Sequence, residues 1–258
     1  MTDVTAQERQ FEPSPSPWAL VTGGSRGIGR AVALELAARG WNLAVGYLQN
    51  DAAAESVAAE ARNAGSRVLL HKGNLAKARE CAELIERIAI EAKPLSGLVH
   101  CAALGALAPT LETRPSWWKL TWDTHVGALV ELVAAARPIF ADEASVVAVS
   151  SLGSRFVTPG YASIGAAKGG LEVLVRYLAV ELAPLGVNVN AVCGGPVDTD
   201  SLRSFPTFSQ LEEESRRRPS SRMGQPEDVA PVVTFLMTPE ARWIRGQVIV
   251  VDGGFSLY

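Results

Sequence analysis

One tyrosine and one lysine stand seven residues apart within a single stretch of the chain. Tyr161 and Lys168 occur in SSLGSRFVTPGYASIGAAKGG, residues 150–170, which contains no second tyrosine. A helix turns once in about 3.6 residues, so this separation returns two side chains to the same face about two turns apart. A phenol can donate a proton or hydrogen bond to a developing oxyanion, and a nearby ammonium lowers the phenol's pKa. The spacing predicts one catalytic site; the alternative is a packed phenol and a lysine whose stem covers apolar surface.

The elements that would position these residues alternate along the chain. Continuous apolar runs predict strands and the amphipathic stretches between them predict helices, a pattern that indicates a parallel sheet covered on both faces. We therefore predict an α/β fold: a single domain with a Rossmann-like, doubly wound sheet of about seven strands in three α/β/α layers. The polar residues 1–16 are predicted to be a flexible tail before a domain spanning 17–258. The predicted strands are WALVTG, WNLAVGY, RVLLHKG, SGLVHCA, SVVAVSS, GVNVNAVC and GQVIVVDGG.

Composition narrows the class of protein. The net charge of −3 over 258 residues argues against general binding of nucleic acid or an anionic membrane. No run approaches the eighteen or so apolar residues of a membrane span, and the N-terminus lacks a basic-then-apolar signal, which together predict a cytoplasmic protein. The three cysteines and three histidines miss the spacings typical of disulfide frameworks and zinc sites, so no metal is expected.

A glycine-rich turn follows the first predicted strand. In TGGSRGIGR, Gly23, Gly27 and Gly29 lie between that strand and a helix. Glycines there let the backbone approach a pyrophosphate, and the helix N-terminus directs unpaired N–H groups at it. The turn therefore predicts a dinucleotide site, although glycines also end strands for steric reasons.

The second strand indicates which dinucleotide. NAD sites of this type usually place an acidic side chain at the end of that strand, on the adenosine 2′-hydroxyl. Here the strand ends VGYLQND, and the first carboxylate is Asp51. With no earlier carboxylate to repel a 2′-phosphate and Arg26 available to pair with it, the prediction is NADPH. The alternative is that Arg26 is only a solvated loop residue.

Together these motifs resemble the short-chain dehydrogenase/reductase family over nearly the whole chain from Pro17. The resemblance rests on TGGSRGIG, VSS, the Tyr/Lys segment, VNVNAVCGGPVDTD and RGQVIVVDGG. In ketone-reducing members the tyrosine lies four residues before the lysine and thirteen after the catalytic serine. Lys168 and Ser151 fit that frame, but Ile164 holds the tyrosine position. The wider spacing of Tyr161 and Lys168 resembles that of the family's enoyl-acyl-carrier-protein reductases.

The shift of the tyrosine has a chemical reason. In an unsaturated thioester, hydride reaches the β-carbon while negative charge develops on the carbonyl oxygen two carbons away, so the donor must stabilise a displaced enolate. Three residues translate the tyrosine's anchor by about 4.5 Å along a helix. The resemblance thus implies NADPH-dependent reduction of an enoyl thioester's carbon–carbon double bond. A carbonyl reductase acting on a 3-oxoacyl group or another ketone is the alternative, and a non-catalytic NADPH-binding scaffold is a third hypothesis.

The resemblance also assigns roles. Tyr161 donates to the enolate oxygen, Lys168 binds the nicotinamide ribose and favours the polarised phenol, and Thr199 holds the carboxamide. Ser151 fits the family's serine, or else only satisfies backbone or cofactor groups. The cofactor-binding residues that the resemblance implies are Gly23, Ser25, Arg26, Gly27, Ile28, Gly29, Tyr47, Asn74, Leu75, Ala102, Lys168, Gly195, Pro196, Val197 and Thr199.

Four positions depart from the family pattern. His100 and Cys101 replace the asparagines that usually follow the fourth strand, and Asn74 replaces an aspartate that contacts the adenine. His125 stands where a structural and proton-relay asparagine is usual, so it is either a substitute proton donor or a core histidine. These changes favour a specialised acyl or biosynthetic substrate.

The segment Ser201–Arg222 follows the sixth strand and is predicted to be a lid. Phe205 and Phe208 are predicted to line an acyl pocket, and the run Arg216–Arg218 either meets an acidic acyl carrier protein or is a solvated helix face. The three tryptophans after the fourth strand are predicted to pack or to lie at a subunit interface: Trp117, Trp118 and Trp122. The resemblance implies a homotetramer.

Overall fold

The structure, a computed structural model, describes residues 16–257 as one layered α/β unit. The predicted tail therefore lies outside the described residues, apart from Ser16. All seven predicted strands are present in one parallel sheet, which confirms the predicted fold class. The strands are β1 (Trp18–Thr22), β2 (Asn42–Tyr47), β3 (Val68–Lys72), β4 (Leu95–His100), β5 (Phe140–Ser151), β6 (Asn188–Gly194) and β7 (Val248–Val251).

Helices connect successive strands and cover both faces of the sheet. A single π-helical turn, Asp123–Gly127, joins the fourth helix to the fifth. The helices are α1 (Gly27–Ala38), α2 (Asp51–Asn63), α3 (Ala78–Glu91), α4 (Pro115–Trp122), α5 (Ala128–Ala136), α6 (Ala162–Glu181), α7 (Asp200–Arg203), α8 (Phe208–Arg216) and α9 (Pro226–Phe235).

Alternation along each strand divides the core into two layers. On β1, Ala19 and Val21 face one layer, packed with α1, α2 and α9, while Leu20 faces the other with α3, α5 and α6. Successive side chains of a strand point to opposite faces, and both faces here are covered. This explains why the strands are continuously apolar in the sequence.

The strand order, β3-β2-β1-β4-β5-β6-β7, reverses direction between β1 and β4. After β3 the chain crosses to the other side of β1, so the connections that leave β1 and β4 diverge and open a crevice at the carboxyl ends of these strands. Open α/β sheets bind ligands at such a switch point. The glycine turn, the Ser151 end of β5 and the loop after β6 all lie at this edge.

Two negative findings concern the described part of the chain. Between residues 16 and 257 no helix is both long and apolar enough to cross a bilayer. Within the same residues, no group of three or more His, Cys, Asp or Glu side chains is arranged to hold a metal ion.

Candidate active site

A cavity of about 630 Å³ occupies the crevice at the carboxyl edge of the sheet. It is lined by Ser151, Tyr161, Lys168 and every predicted cofactor residue except Pro196. The Pro196 carbonyl instead accepts a hydrogen bond from the Gly224 backbone at 2.9 Å, which ties the loop after β6 to a later segment. The fold therefore gathers residues from six separate parts of the sequence into one site.

Tyr161 lies at the N-cap of α6, and this corrects the prediction that it belongs to the helix itself. Its backbone has φ −93° and ψ 4°, and the helix begins at Ala162. Lys168 lies inside α6, with its side chain buried. Because the helix axis continues from the N-cap, the two side chains still reach one cavity. The i,i+7 argument gives the right pairing of side chains, although only one of them is helical.

The Tyr161 phenol is a protonated donor at neutral pH. Burial raises its pKa above the usual 10.0, although a hydrogen bond with the Ser151 hydroxyl acts in the opposite direction. The lowering of the phenol's pKa that we expected from Lys168 is not observed, because burial sets the direction of the shift. Ser151 Oγ also accepts from the Gly153 backbone at 3.3 Å. The serine thus links the end of β5 to the phenol.

The Lys168 side chain is buried, and its ammonium donates to the Val149 carbonyl of β5 at 2.6 Å. Burial lowers its pKa to about 8, while Cys101, Cys193 and Glu172 oppose that shift. The lysine in turn helps to lower the pKa values of two buried histidines, His100 and His125. Lys168 is therefore a cation with a titration close to neutral pH at the floor of the cavity.

A close approach between α6 and the turn after β5 sets the tyrosine's position. A Cβ atom on Gly165 would lie 2.5 Å from the Gly153 carbonyl oxygen, and one on Gly153 would lie 2.5 Å from the Tyr161 ring. Glycine at both positions lets helix, turn and ring stack without side chains between them. This accounts for the glycine four residues after Tyr161.

Ile164 occupies the position of the ketone reductases' tyrosine, and its side chain is buried away from the cavity lining. Its Cγ1 and Cδ1 atoms pack on Gly105, in the loop after β4. The phenol at the Ser151 end of the cavity therefore belongs to Tyr161.

The two histidines lie behind the cavity and hold its wall. His100 Nδ1 is 3.0 Å from Thr22 Oγ1, and its Nε2 is 3.1 Å from the His125 carbonyl. His125 Nε2 lies 3.2 Å from both the backbone nitrogen and the carbonyl oxygen of Leu104, which lines the cavity. Burial lowers the pKa of His100 to about 4 and that of His125 well below its usual value, so both rings are neutral. The core-histidine hypothesis fits this placement better than that of a proton donor.

The opposite end of the cavity fits a phosphorylated dinucleotide. Arg26 is the exposed N-cap of α1 and makes no side-chain cap, so the first N–H groups of the helix are open to an anion. A Cβ atom on Gly29 would lie 2.3 Å from the Gly23 carbonyl, so the turn needs glycine to bring the helix N-terminus this close to β1. Asp51 is bonded to Lys72 at 2.9 Å and to the Tyr47 hydroxyl, and it does not line the cavity.

Asn74, which we predicted to contact the adenine, has a defined geometry. Asn74 lines the cavity, and its Oδ1 accepts from the Ala76 backbone at 3.1 Å. One side of the amide is thereby fixed by its own turn, which leaves the Nδ2 group as the donor available to a ligand.

The predicted lid contains α7 and α8, and one of its two phenylalanines reaches the site. Phe205 lines the cavity with its ring centroid 6.0 Å from that of Tyr161. The prediction for Phe208 is wrong: this residue begins α8 and lines a separate depression, beside Glu212 and Arg216. Periodicity within an irregular segment could not show which aromatic side chain faces the sheet.

The predicted arginine run is internally paired, and only part of it is a solvated face: the Arg218 side chain is 18% exposed, and its guanidinium lies 5.0 Å from the centroid of the Phe255 ring. Each arginine of Arg216–Arg218 pairs with the glutamate four residues earlier in Glu212–Glu214. Of the tryptophans, none lines the cavity, and Trp122 packs its ring against Gly170 of α6 while remaining 48% exposed.

Sequence reasoning missed several residues of the cavity wall. Two of them follow strand ends: Leu104 comes after β4, and Leu202 follows Thr199 on α7. The third, Thr124, lies in the π-helical turn. Thr199 itself caps α7 by accepting from the Leu202 backbone at 3.2 Å. Position after a parallel strand was the one available signal for Leu104 and Leu202, while Thr124 had none.

Comparison with known proteins defines the family. A family model described as Enoyl-(Acyl carrier protein) reductase matches residues 23–256. The 1-cyclohexenylcarbonyl-CoA reductase of Streptomyces collinus is 34% identical over 98% of this chain and 89% of its own length. A 3-oxoacyl-[acyl-carrier-protein] reductase of Synechocystis is 34% identical over 93% of this chain and 97% of its own.

A solved structure agrees with these relatives. A short-chain dehydrogenase from Burkholderia cenocepacia, in complex with NADP, superposes with a TM-score of 0.87 at 29% identity, covering 93% of this chain and 97% of that one. The chain described here belongs to the short-chain dehydrogenase/reductase family.

The contact between Gly165 and Gly153 yields a first prediction. Gly165→Ala should destabilise the fold by about 1–3 kcal/mol and remove most activity, because the new methyl meets a backbone carbonyl that no rotamer change can move. Gly169→Ala on the same helix is the matched control: its nearest neighbour would be 3.9 Å away, so helix propensity should stabilise it by roughly 0.5–1 kcal/mol. Urea unfolding and turnover of both variants measure this difference. Equal stability and turnover of the two variants would contradict the close contact between Gly165 and Gly153.

Titration of Lys168 yields a second prediction. Since its pKa is lowered to about 8, kcat/KM should fall as pH rises through 8 and the ammonium is lost. The free energy of unfolding should change in the opposite direction. In the unfolded chain the lysine keeps its proton up to its usual pKa of 10.5, whereas in the folded protein it loses the proton near pH 8. The contribution of this group to stability therefore rises as the pH increases from 8 to 10.5.

The pH dependence of kcat/KM in two variants tests the assignment to Lys168. In Lys168→Arg, whose guanidinium cannot deprotonate in this range, the fall of kcat/KM near pH 8 (the alkaline limb of the profile) should disappear. In Lys119→Arg, which changes an exposed lysine, this limb should remain. A limb that persists in Lys168→Arg would assign the titration to another group.

Proposed function

We propose that this protein reduces the carbon–carbon double bond of an α,β-unsaturated acyl thioester. The observation that carries the proposal is the placement of the phenol: Tyr161 lines the cavity and bonds Ser151, while Ile164 packs on Gly105 outside the lining. A tyrosine displaced in this way suits a substrate whose negative charge develops away from the carbon that accepts hydride. The similarity to the Streptomyces reductase supports it, since a 1-cyclohexenylcarbonyl thioester has its double bond conjugated to the thioester carbonyl.

The protein is an oxidoreductase of its family, and its cofactor is NADPH, as the sequence predicts. An NADP complex of the Burkholderia relative supports this assignment, as do the uncapped α1 N-terminus and the absence of Asp51 from the cavity wall. When bound, NADPH supplies the hydride. Arg26 makes no salt bridge within residues 16–257 and is available to the 2′-phosphate.

Four residues of the chain would then have separate roles in the reduction. Tyr161, kept protonated by burial, donates a hydrogen bond to the thioester oxygen as it becomes an enolate. Lys168 provides positive charge beneath the site and binds hydroxyl groups of the nicotinamide ribose. Ser151 orients the phenol, and Thr199 holds the carboxamide. Hydride addition at the β-carbon and proton uptake at the α-carbon complete the reduction.

The cavity wall near Tyr161 suits an acyl chain. The Phe205 ring lies 6.0 Å from that of Tyr161, and Leu104 and Leu202 add apolar surface to the lining of the same cavity. The proposal names the thioester and not its carrier. Each arginine of Arg216–Arg218 is paired with a glutamate, so this segment has little net positive charge with which to bind an acidic carrier protein. Exposed Val173 and Val180 on α6 favour association with further copies of this chain, and the homotetramer remains part of the proposal.

Carbonyl reduction is the second candidate. The hydrogen-bonded Ser151–Tyr161 pair could place two donors on a ketone oxygen, and the Synechocystis relative is named for reduction of 3-oxoacyl groups.

Matched four-carbon thioesters separate the two candidates. Crotonyl-CoA should be reduced to butyryl-CoA with oxidation of NADPH, and Tyr161→Phe should lower kcat/KM by about 10²–10³-fold because one oxyanion donor is lost. Tyr177→Phe, which removes an exposed hydroxyl on the same helix, is the control and should behave like the unmodified protein. Reduction of acetoacetyl-CoA alone would favour the second candidate, and turnover independent of Tyr161 would refute both assignments of the phenol.

Arg26 should set the choice of dinucleotide. Arg26→Ala should raise KM for NADPH roughly ten- to a hundredfold by removing one charge-assisted contact, and should leave KM for NADH nearly unchanged. Arg30→Ala is the control, since Arg30 lies one turn along α1 and pairs with Glu60 at 2.8 Å. Equal loss with both dinucleotides would show that Arg26 acts only on the helix.

A further inference from the structure

A buried carboxylate lies directly behind the catalytic residues and outside the cavity lining. Glu172 is on α6, one turn after Lys168, and is 8% exposed. Its Oε1 accepts hydrogen bonds from both the Ser150 and the Ser154 hydroxyl groups at 2.7 Å. Its Oε2 faces the Arg155 guanidinium at 3.4 Å. Burial of an ionised carboxylate is costly unless such partners compensate it, so the cluster has a defined geometry.

The partners of Glu172 flank Ser151 on both sides. Ser150 precedes it at the end of β5, while Ser154 and Arg155 end the short 3₁₀ turn Leu152–Ser154. Ser151 has its own hydroxyl directed to Gly153 and Tyr161 and makes no bond to the carboxylate. One side chain on α6 therefore fixes both ends of the segment that carries the serine.

The same carboxylate connects the remaining parts of the site. Burial raises the pKa of the Cys193 thiol on β6 to about 11, and the charge of Glu172 acts in the same direction, so the neutral thiol lies near the carboxylate. Glu172 also acts on Lys168 electrostatically and opposes the effect of burial on that ammonium. Since Lys168 lies on α6 and Tyr161 caps its N-terminus, the Glu172 cluster relates β5, β6 and α6 to one another beside the reacting groups.

We propose that Glu172 is a positioning residue: by binding Ser150, Ser154 and Arg155 it holds Ser151 at hydrogen-bonding distance from Tyr161. The inference rests on the proposed roles of Ser151, Tyr161 and Lys168. It extends them, because Glu172 itself does not line the cavity and acts through the segment 150–155.

Two variants of Glu172 test the proposal in the full-length protein with NADPH at pH 7, using whichever of crotonyl-CoA and acetoacetyl-CoA the unmodified protein reduces. Glu172→Ala should lower kcat by about 10²-fold, the scale of loss from a small displacement of catalytic groups, with the Kd for NADPH within about threefold of the unmodified value. Glu172→Gln keeps an acceptor oxygen for the serines and should recover part of kcat. In Glu172→Gln the fall of kcat/KM near pH 8 should move to lower pH, because Lys168 loses a neighbouring negative charge.

Controls separate positioning from folding. Glu181→Gln, at the exposed end of the same helix, should leave kcat and the pH profile unchanged. If Glu172→Ala does not fold, Ser154→Ala removes a single hydrogen bond to the carboxylate and should lower kcat roughly tenfold at unchanged NADPH affinity.

The proposal is overturned if Glu172→Gln and Ser154→Ala retain kcat and the pH profile. It is also overturned if kcat falls only in proportion to the fraction of protein that binds NADPH, since that result describes a purely structural residue. Failure of the proposed function is a different result, because it is seen in the unmodified protein as the absence of crotonyl-CoA reduction.

Discussion

The site depends on the contact between the N-terminal part of α6 and the turn after β5. Gly165 faces the Gly153 carbonyl at a distance that excludes any side chain, and the Tyr161 ring lies against the other side of Gly153. Protein interiors are close-packed, so a methyl group here would separate elements that carry the serine, the tyrosine and the lysine. The chemistry of the displaced tyrosine follows from this contact, because it sets where the phenol enters the cavity.

Buried charge forms a second constraint on the same region. Lys168 and Glu172 lie one turn apart inside α6, where an isolated charge would be strongly unfavourable. Each has partners on β5 or the turn that follows: the Val149 carbonyl for the lysine, and Ser150 and Ser154 for the glutamate. These bonds make the helix and the strand interdependent. Burial lowers the pKa of Lys168 to about 8, within reach of physiological pH.

The cofactor end of the cavity is organised by backbone and not by buried charge. The N–H groups at the start of α1 are uncapped, and Gly29 lets that helix approach the end of β1. Such a site takes an anion without requiring a specific side chain. We propose that specificity for the phosphorylated dinucleotide comes from Arg26 and from the pairing of Asp51 with Lys72 and Tyr47. One half of the cavity thus depends on local turn geometry, and the other on packing between distant elements.

The amino-acid sequence by itself determined the strands, the glycine turn and the identity of Tyr161, Lys168 and Ser151, because periodicity and turn chemistry are local properties. It also indicated the cofactor from the missing carboxylate after β2. Only the tertiary structure decided that Tyr161 caps α6, that Phe205 and not Phe208 faces the cavity, and that the Pro196 side chain lies outside the lining. The cluster around Glu172 likewise joins Ser150, Ser154 and Cys193 across three elements. No local pattern records such contacts, since they arise when the sheet brings distant strand ends to one edge.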